Sequence, residues 1–477
     1  MKVSLAYLAI DSPQDTGYSY GLGYVAAALR EAGHEVDGWG LTDGRDVTGF
    51  LEELRSRRPD LLGLSATTAQ FAHVGEIARA AKEVCDCFIV CGGVHPTLAP
   101  TCIHEADAVD AIVRGEGEGA MVELAAALET GAGPSGIAGV WSRRDGAIVE
   151  NAPRPFIEDL DALPFPDKTC VDYQSIIDRA GGVNRFVFSR GCTFGCTYCS
   201  NRALSRVCQG RYFRQQSPAR AIAEIRRDRE RFAFSRIVID DDTITLNKAW
   251  FYDFFGRYRQ EFDVPFGCNV RIGTVDQDMI RLLAEAGCTT VAVGVEHGNE
   301  AFRRDVLNRP MTNRQIIEVF DLCHRYGLET FGQAIVGFPH ENRRLFLDTV
   351  RLCRRLSIRN PISIFQPYPG TALGEICQQN GWLPSKASYR ERQEAVISYP
   401  GFSKEEIQLC ADAFPALTQS KWLPLWIPLA WTLRVWRAAD LCRYVVRRSL
   451  ERAATVGRSL RRWVAHLTPR GLLEPNG

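Results

Sequence analysis

Short apolar runs alternate with amphipathic stretches of helical period along the first 150 residues. Val3–Ile10, Glu35–Leu41, Leu61–Ala66, Phe88–Cys91 and Ala111–Val113 read as strands. Between and after them, Gly21–Ala32 (stopped by Gly33), Asp46–Arg57, Val74–Val84 and Ala120–Leu128 read as helices. Near-continuous apolar strands separated by helices predict a parallel sheet covered on both faces, a doubly wound α/β domain. Ligands of such sheets sit beyond the carboxyl ends of the strands. Small and polar residues gather there: Ser65, Thr67 and Thr68, then Gly92, Gly93, His95, Pro96 and Thr97, then Gly115, Glu116, Gly117 and Glu118. Glycine lets backbone approach a bulky ligand, and hydroxyls supply directed hydrogen bonds.

Residues 139–150 read as a hairpin turning at Asp145-Gly146. Four prolines (Pro153, Pro155, Pro164, Pro166) then disfavour regular structure up to Asp167. Beyond them the strand-then-helix alternation resumes, with strands at Arg185–Ser189, Ile237–Ile239, Phe266–Ile272, Thr290–Val295, Thr330–Val336 and Ile362–Phe365. Asp276–Ala286 and Asn313–Tyr326 are well-patterned helices among them. Six such units predict a partial barrel whose chemistry lies at the carboxyl ends of its strands. The expected division is 1–150 for the first domain, 151–182 for the linker, 183–375 for a partial (β/α)6 barrel and 376–477 for a helical, basic, tryptophan-rich region.

Composition narrows the class. The chain is 477 residues long, enough for two or three domains. Its 57 basic and 57 acidic residues cancel, so no global charge points to nucleic acid. Sixteen cysteines in so long a chain are not the framework of a small secreted domain. Met1–Ile10 lacks a small-residue cleavage site and reads as a buried strand. A reducing cytosol is the expected compartment. Cys87 and Cys91 bracket an apolar strand, so with Cys85 they read as small hydrophobes rather than a metal site.

Cys192, Cys196 and Cys199 form a C-x3-C-x2-C run. A structural zinc closes its tetrahedron with four protein ligands, and an iron–sulfur cube usually takes four cysteines. Three thiolates on one loop leave one position for a small molecule; a zinc knuckle or incidental thiols are the alternatives. The run resembles the signature of the radical S-adenosylmethionine (SAM) enzymes. The resemblance implies a 4Fe-4S cluster whose open iron chelates SAM, with Tyr198 near the adenine. The Gly-Gly-x-His-Pro-Thr and Gly-Glu-Gly-Glu stretches, preceding the cysteine loop, resemble the cobalamin-binding domain of B12-dependent members. Corrinoid proteins that ligate cobalt by histidine carry Asp-x-His-x-x-Gly after the first strand, whereas Asp11–Gly17 has no histidine. The resemblance therefore implies cobalamin bound without a histidine below the cobalt, contacted by Ser65, Thr67, Gly92, Gly93, His95, Pro96, Thr97, Gly115, Glu116 and Gly117. A structural turn is the other role for His95.

Further matches concern SAM. Asp241 and Asp242, within Asp240–Asp242, stand where the family receives the SAM amino group. Glu296 matches a position near its ribose or methionine moiety, Gly337 lies in the adenine-side strand, and Pro367 opens the turn closing the sixth strand. Helix capping by the aspartates and a surface pair at Glu341 are the bland readings. Arg271 reads either as a core-edge salt bridge or as a contact to the SAM carboxylate.

The resemblance implies reductive SAM cleavage to a 5′-deoxyadenosyl radical and, most commonly in this branch, methylation of an unactivated carbon of a small-molecule or lipid substrate through methylcobalamin. Flavodoxin or ferredoxin is the kind of electron donor implied. A radical cyclase, oxidase or rearrangement enzyme is the alternative, and a corrinoid- or redox-responsive binding protein is the alternative of another class. In the last hundred residues, arginines recur from Arg434 to Arg462, and Trp422, Trp426, Trp431, Trp436 and Trp463 are five of the nine tryptophans. The segment reads either as a helix lying on an anionic membrane surface or as a cap on the barrel.

Overall fold

The computed structural model describes residues 1–12, 17–358, 360–383 and 390–419. The expected Trp- and Arg-rich segment at 422–463 lies outside them. The N-terminal strands are β1 (Lys2–Leu8), β2 (Glu35–Leu41), β3 (Leu61–Ser65), β4 (Phe88–Gly92) and β5 (Ala111–Val113), followed by β6 (Val140–Arg144) and β7 (Ala147–Val149). They form one sheet in the order β2-β1-β3-β4-β5-β6-β7. β1 to β5 pair parallel, while β6 and β7 pair antiparallel and lengthen the sheet beyond the expected five strands. Asp145 and Gly146 both take positive φ (50° and 80°), as a two-residue hairpin turn requires.

Two apolar cores cover the two faces. Helices Tyr20–Glu31 and Glu118–Glu129 bury Leu22, Ala26, Leu29, Met121 and Leu124 on one. Helices Gly44–Arg57 and Phe71–Val84 bury Phe50, Leu54, Val74 and Ile77 on the other, with Cys85, Cys87 and Cys91 in the same core. Gly44–Arg57 begins two residues before expectation because Asp43 caps it reciprocally with Asp46.

The second half contains β8 (Val183–Phe186), β9 (Ser189–Arg190), β10 (Arg214–Gln215), β11 (Arg236–Ile239), β12 (Phe266–Val270), β13 (Cys288–Glu296), β14 (Glu329–Val336) and β15 (Ser363–Ile364). Six of these form a parallel sheet in the order β15-β14-β13-β12-β11-β8, the partial barrel expected. Phe186, Phe188 and Phe266 share one core with Phe251, Phe254 and Phe255 of the helix Lys248–Glu261, all excluded from solvent. The strand expected over Arg185–Ser189 is split: β8 ends at Phe186, and β9 leaves the barrel to pair antiparallel with β10.

The proline-rich linker has little regular structure yet is firmly packed. Lys168 is 2% exposed, and its Nζ donates to Asp228 (2.6 Å), Asn184 (2.9 Å) and the Arg185 carbonyl (2.9 Å). The same ammonium lies 4.0 Å from the centre of the Phe186 ring. Arg220 stacks on Phe165 at 4.2 Å, and the Asp167 N–H donates to the Gly23 carbonyl (2.9 Å).

Candidate functional site

The carboxyl ends of β1, β3, β4 and β5 open into a cavity of about 470 Å³, walled on the far side by Val187–Gly191, Cys208, Tyr212 and Gln216. Its N-terminal lining includes Leu5, Val90, Val113 and Met121, which is apolar, and Ser65, Thr67, Gly92, Gly93, Thr97, Gly115, Glu116 and Gly117. Missing side chains leave this space open. A Cβ on Gly63 would stand 2.7 Å from Leu5, and one on Gly117 would stand 3.1 Å from Val25. Gly93 has φ +104°, and a Cβ there would meet the Ala66 carbonyl at 2.7 Å. The Thr97 hydroxyl donates to the Gly93 carbonyl (2.7 Å) and accepts from the Gly115 N–H (3.1 Å), tying two glycine turns together. A glycine-walled, mostly apolar slot with hydroxyls at its rim fits a large planar cofactor with an extended tail, as cobalamin is.

His95 and Pro96 fall outside the cavity lining. Both sit in the short helix Val94–Leu98, where the His95 ring packs 4.4 Å from Phe71 and its Nδ1 lies 3.4 Å from the Thr68 hydroxyl. Burial pushes that imidazole down to about 4. Among the described residues lining the cavity there is no histidine. Glu116 lines the cavity, but its carboxylate is engaged by Arg190, by Arg214 and by the Ile157 N–H.

The cysteine loop leaves β9 through Gly191 (φ +83°), where a Cβ would meet the Tyr212 carbonyl at 2.7 Å. Cys196 is buried, whereas Cys192 and Cys199 are half-buried. Long-range bonds hold the loop: Thr197 donates to the Leu307 (3.3 Å) and Val306 (2.7 Å) carbonyls, and Asn308 donates to the Gly195 carbonyl (2.8 Å). Two guanidiniums flank Cys196, with Arg271 Nη1 at 3.6 Å and Arg309 Nη1 at 3.8 Å from its sulfur. Among the described residues Arg271 has no carboxylate partner; it lies 3.7 Å from the centre of the Phe194 ring. Burial raises the Cys192 thiol and pushes Cys199 up to about 11, so metal binding at this loop would release protons. Among the described residues no three His, Cys, Asp or Glu side chains converge as ligands of a single ion would. The donor set fits a polynuclear cluster: three thiols on one loop, with cations to meet their charge.

The barrel strand ends surround this loop. Asp240 pairs with Arg185 (2.7 Å). Asp241 is buried, accepts from the Phe188 N–H (2.9 Å) and the Ser189 hydroxyl, and is pushed up to about 7 by burial. Asp242 is exposed and accepts from Asn201 (3.0 Å), whose Nδ2 also lies 3.7 Å from Cys199 Sγ. None of the three caps the next helix; Asn247 does. Glu296 takes φ +63° beyond a register shift in β13, a bulge of the kind that re-aims a side chain. It meets Arg309 Nη1 at 3.3 Å, and that guanidinium also donates to Tyr198 (3.3 Å) and the Gly294 carbonyl (2.8 Å). The Tyr198 ring lies edge-on to Phe338 at 5.2 Å, beside Gly337. Glu341 is buried rather than on the surface, and its carboxylate accepts from the Gly337 (2.7 Å) and Phe338 (3.2 Å) N–H groups. Its other oxygen faces His297 Nε2 (3.2 Å), which carries the proton because Nδ1 accepts from the Asn299 N–H (3.0 Å). Pro367 is half-buried in the turn after β15. Next to it Tyr368 donates to Glu391, which also accepts from Thr67 (3.2 Å) of the N-terminal half.

Sequence reasoning missed Arg309, Arg190, Arg214, Tyr24 and Gln216. Arg190 had a signal, since it stands directly before Gly191-Cys192; the others belong to no local motif.

The chain matches the Radical SAM superfamily over residues 186–353 and the B12 binding domain over residues 8–125. It is 32% identical over 377 residues to an uncharacterized methyltransferase of Pyrococcus horikoshii, covering 77% of this chain and 80% of that protein. It is 28% identical over 348 residues to the anaerobic magnesium-protoporphyrin IX monomethyl ester cyclase of Rubrivivax gelatinosus, covering 69% of this chain and 61% of that one. The solved structure of the radical SAM methyltransferase TsrM from Kitasatospora setae, with cobalamin and a [4Fe-4S] cluster bound, shares the fold at a TM-score of 0.65 and 20% identity, covering 81% of this chain and 79% of that one.

Proposed function

The chain belongs to the B12-binding branch of the radical SAM superfamily, with a 4Fe-4S cluster, SAM and cobalamin as its cofactors, and on that premise we propose that it methylates an unactivated carbon of a small-molecule or lipid substrate. One observation carries this reading: the cavity of the N-terminal half is walled on its far side by Val187–Gly191, the residues leading into Cys192. A methyl donor held in that cavity and a radical generated at the cysteine loop would serve the same bound substrate.

Bound together, the cluster and SAM supply a radical able to take hydrogen from an unactivated carbon, and cobalamin supplies the methyl group. The chain positions these groups. Cys192, Cys196 and Cys199 hold the cluster, and Arg271 and Arg309 offset the thiolate charge. Asp242, Glu296, Tyr198, Gly337 and Pro367 border the space for SAM, while Asp241 braces the strand leading to the loop. Ser65, Thr67, Gly92, Gly93, Thr97, Gly115 and Gly117 receive the corrinoid without a histidine ligand. In this reading residues 1–150 are the cobalamin domain, 151–182 the linker, 183–375 the barrel and 376–477 a C-terminal extension.

The test is anaerobic turnover of the reconstituted enzyme with methyl-labelled SAM, a low-potential reductant and a metabolite extract. Label in a product, with S-adenosylhomocysteine beside methionine and 5′-deoxyadenosine, supports methylation. The Rubrivivax cyclase relative favours a second reading, and SAM cleavage without S-adenosylhomocysteine would select it. No described helix is long and apolar enough to cross a membrane. Surface contact through 422–463 rests on the sequence, and salt-sensitive co-sedimentation with anionic liposomes tests it.

A further inference from the structure

Arg190 and Arg214 stand directly opposite each other in the two-residue ribbon of β9 and β10. Opposed like charges destabilise an antiparallel pair, and a ribbon this short is marginal by itself. Two acids from the N-terminal half resolve the conflict. Glu116 bridges both guanidiniums, at 2.7 Å from Arg190 Nη1 and 2.8 Å from Arg214 Nη1. Glu118, the first residue of its helix and 5% exposed, meets Arg190 Nη2 at 2.5 Å. The rest of the set is equally fixed: Arg190 lies over Tyr24 (4.7 Å), and Arg214, 2% exposed, lies over Phe156 (4.8 Å).

The placement of this network matters as much as its strength. Glu116 lies between Gly115 and Gly117 at the cavity rim, and Arg190 is two residues from Cys192. Both acids and both arginines line the cavity itself. Whatever settles the glycine turns also settles the acids, and the acids fix the strand from which the cysteine loop departs. Removing one member would strand a buried partner charge.

We infer that Glu116, Glu118, Arg190 and Arg214 form an ionic latch that couples occupancy of the cobalamin cavity to the setting of the cluster loop. All four are positioning residues. The inference rests on the cofactor placement proposed above and adds an energetic link between the two sites. Such a link is reciprocal: cluster loading should tighten cobalamin binding by the factor by which cobalamin favours the loaded loop.

The experiment titrates hydroxocobalamin into the full-length protein, followed by absorbance, before and after anaerobic reconstitution of the cluster. The wild type should bind about fivefold or more tightly once loaded. In Glu116→Gln the two affinities should become equal. Arg190→Lys keeps the charge but loses the fork that spans both carboxylates, so it should lose the difference too. It decides alone if Glu116→Gln fails to fold. A variant that binds cobalamin but no longer retains iron also supports the latch. Equal affinities in the wild type, or an unchanged ratio in the folded variants, would overturn the latch and leave the functional reading standing. A wild type that takes up neither cobalamin nor iron would overturn both.

Discussion

The two halves of the molecule make their sites by opposite means. The N-terminal half makes room by omission: Gly63, Gly92, Gly93, Gly115 and Gly117 leave a slot that side chains would fill, and Thr97 pins the turns that shape it. The barrel makes its site by convergence. Arg271, Glu296, Arg309 and Asp242 arrive from separate strand ends and loops to surround one cysteine loop, and Asn201, two residues past Cys199, ties it to Asp242. An apolar slot suits a large cofactor recognised by shape, whereas dense buried charge suits a charged cluster and a zwitterion. The difference teaches where each half is fragile: the first to added volume, the second to lost charge.

The sharpest break is at the cysteines. Changing Cys192, Cys196 and Cys199 together to Ala should abolish iron retention and SAM cleavage while cobalamin still binds. Loss of cobalamin binding in that variant would show the two sites are not separately built. Next in size is Arg309→Met, which leaves Glu296 buried without its cation. An unpaired buried charge costs about 3–5 kcal/mol. Melting temperature and SAM affinity, read by equilibrium dialysis, should both fall. Wild-type values for both would remove Arg309 from the site.

Gly92→Leu addresses the slot. Gly92 is not left-handed, and a Cβ there meets Val113 at an ordinary 3.9 Å, so the fold accepts the change while the cavity loses space. Overpacking of about 1–3 kcal/mol implies cobalamin binding weakened about tenfold or more, with iron unchanged. Full cobalamin affinity would refute the claim that shape rules this half.

The smallest effect belongs to His95. Burial holds its folded pKa at about 4, below the ordinary value of about 6.5. The neutral ring's contribution is complete above about pH 6.5 and is lost as pH falls toward 4, up to about 1–3 kcal/mol. His95→Phe should flatten this part of the pH dependence of melting while cobalamin binding persists. Lost cobalamin binding would instead restore His95 to the ligand set.

What could be read from the sequence follows from locality. The cysteine run and glycine turns are contiguous, and the barrel strands are apolar, so both were legible. The β9–β10 ribbon was not, because two residues a side carry no alternation. Arg309 was invisible because it reaches Cys196 from 113 positions along the chain, through a loop with no pattern of its own. His95 and Pro96 share a motif with Gly92 and Gly93, but in the helix Val94–Leu98 it is Val94 and Thr97 that line the cavity, a distinction that the sequence does not carry. At Glu341 the bland reading failed because burial depends on tertiary neighbours such as His297.

Lys168 has a consequence for timing. The connector is tied on both sides: the Lys168 ammonium is locked among Asp228, Asn184 and Phe186 of the barrel, and the neighbouring Asp167 binds the Gly23 carbonyl and Arg30 of the N-terminal half. Some carriers shuttle a group between stations by swinging one domain. In a chain tied this way, small molecules would come and go while the two halves stay in place. Its pace would then be governed by the order of arrivals and departures rather than by any journey of the protein.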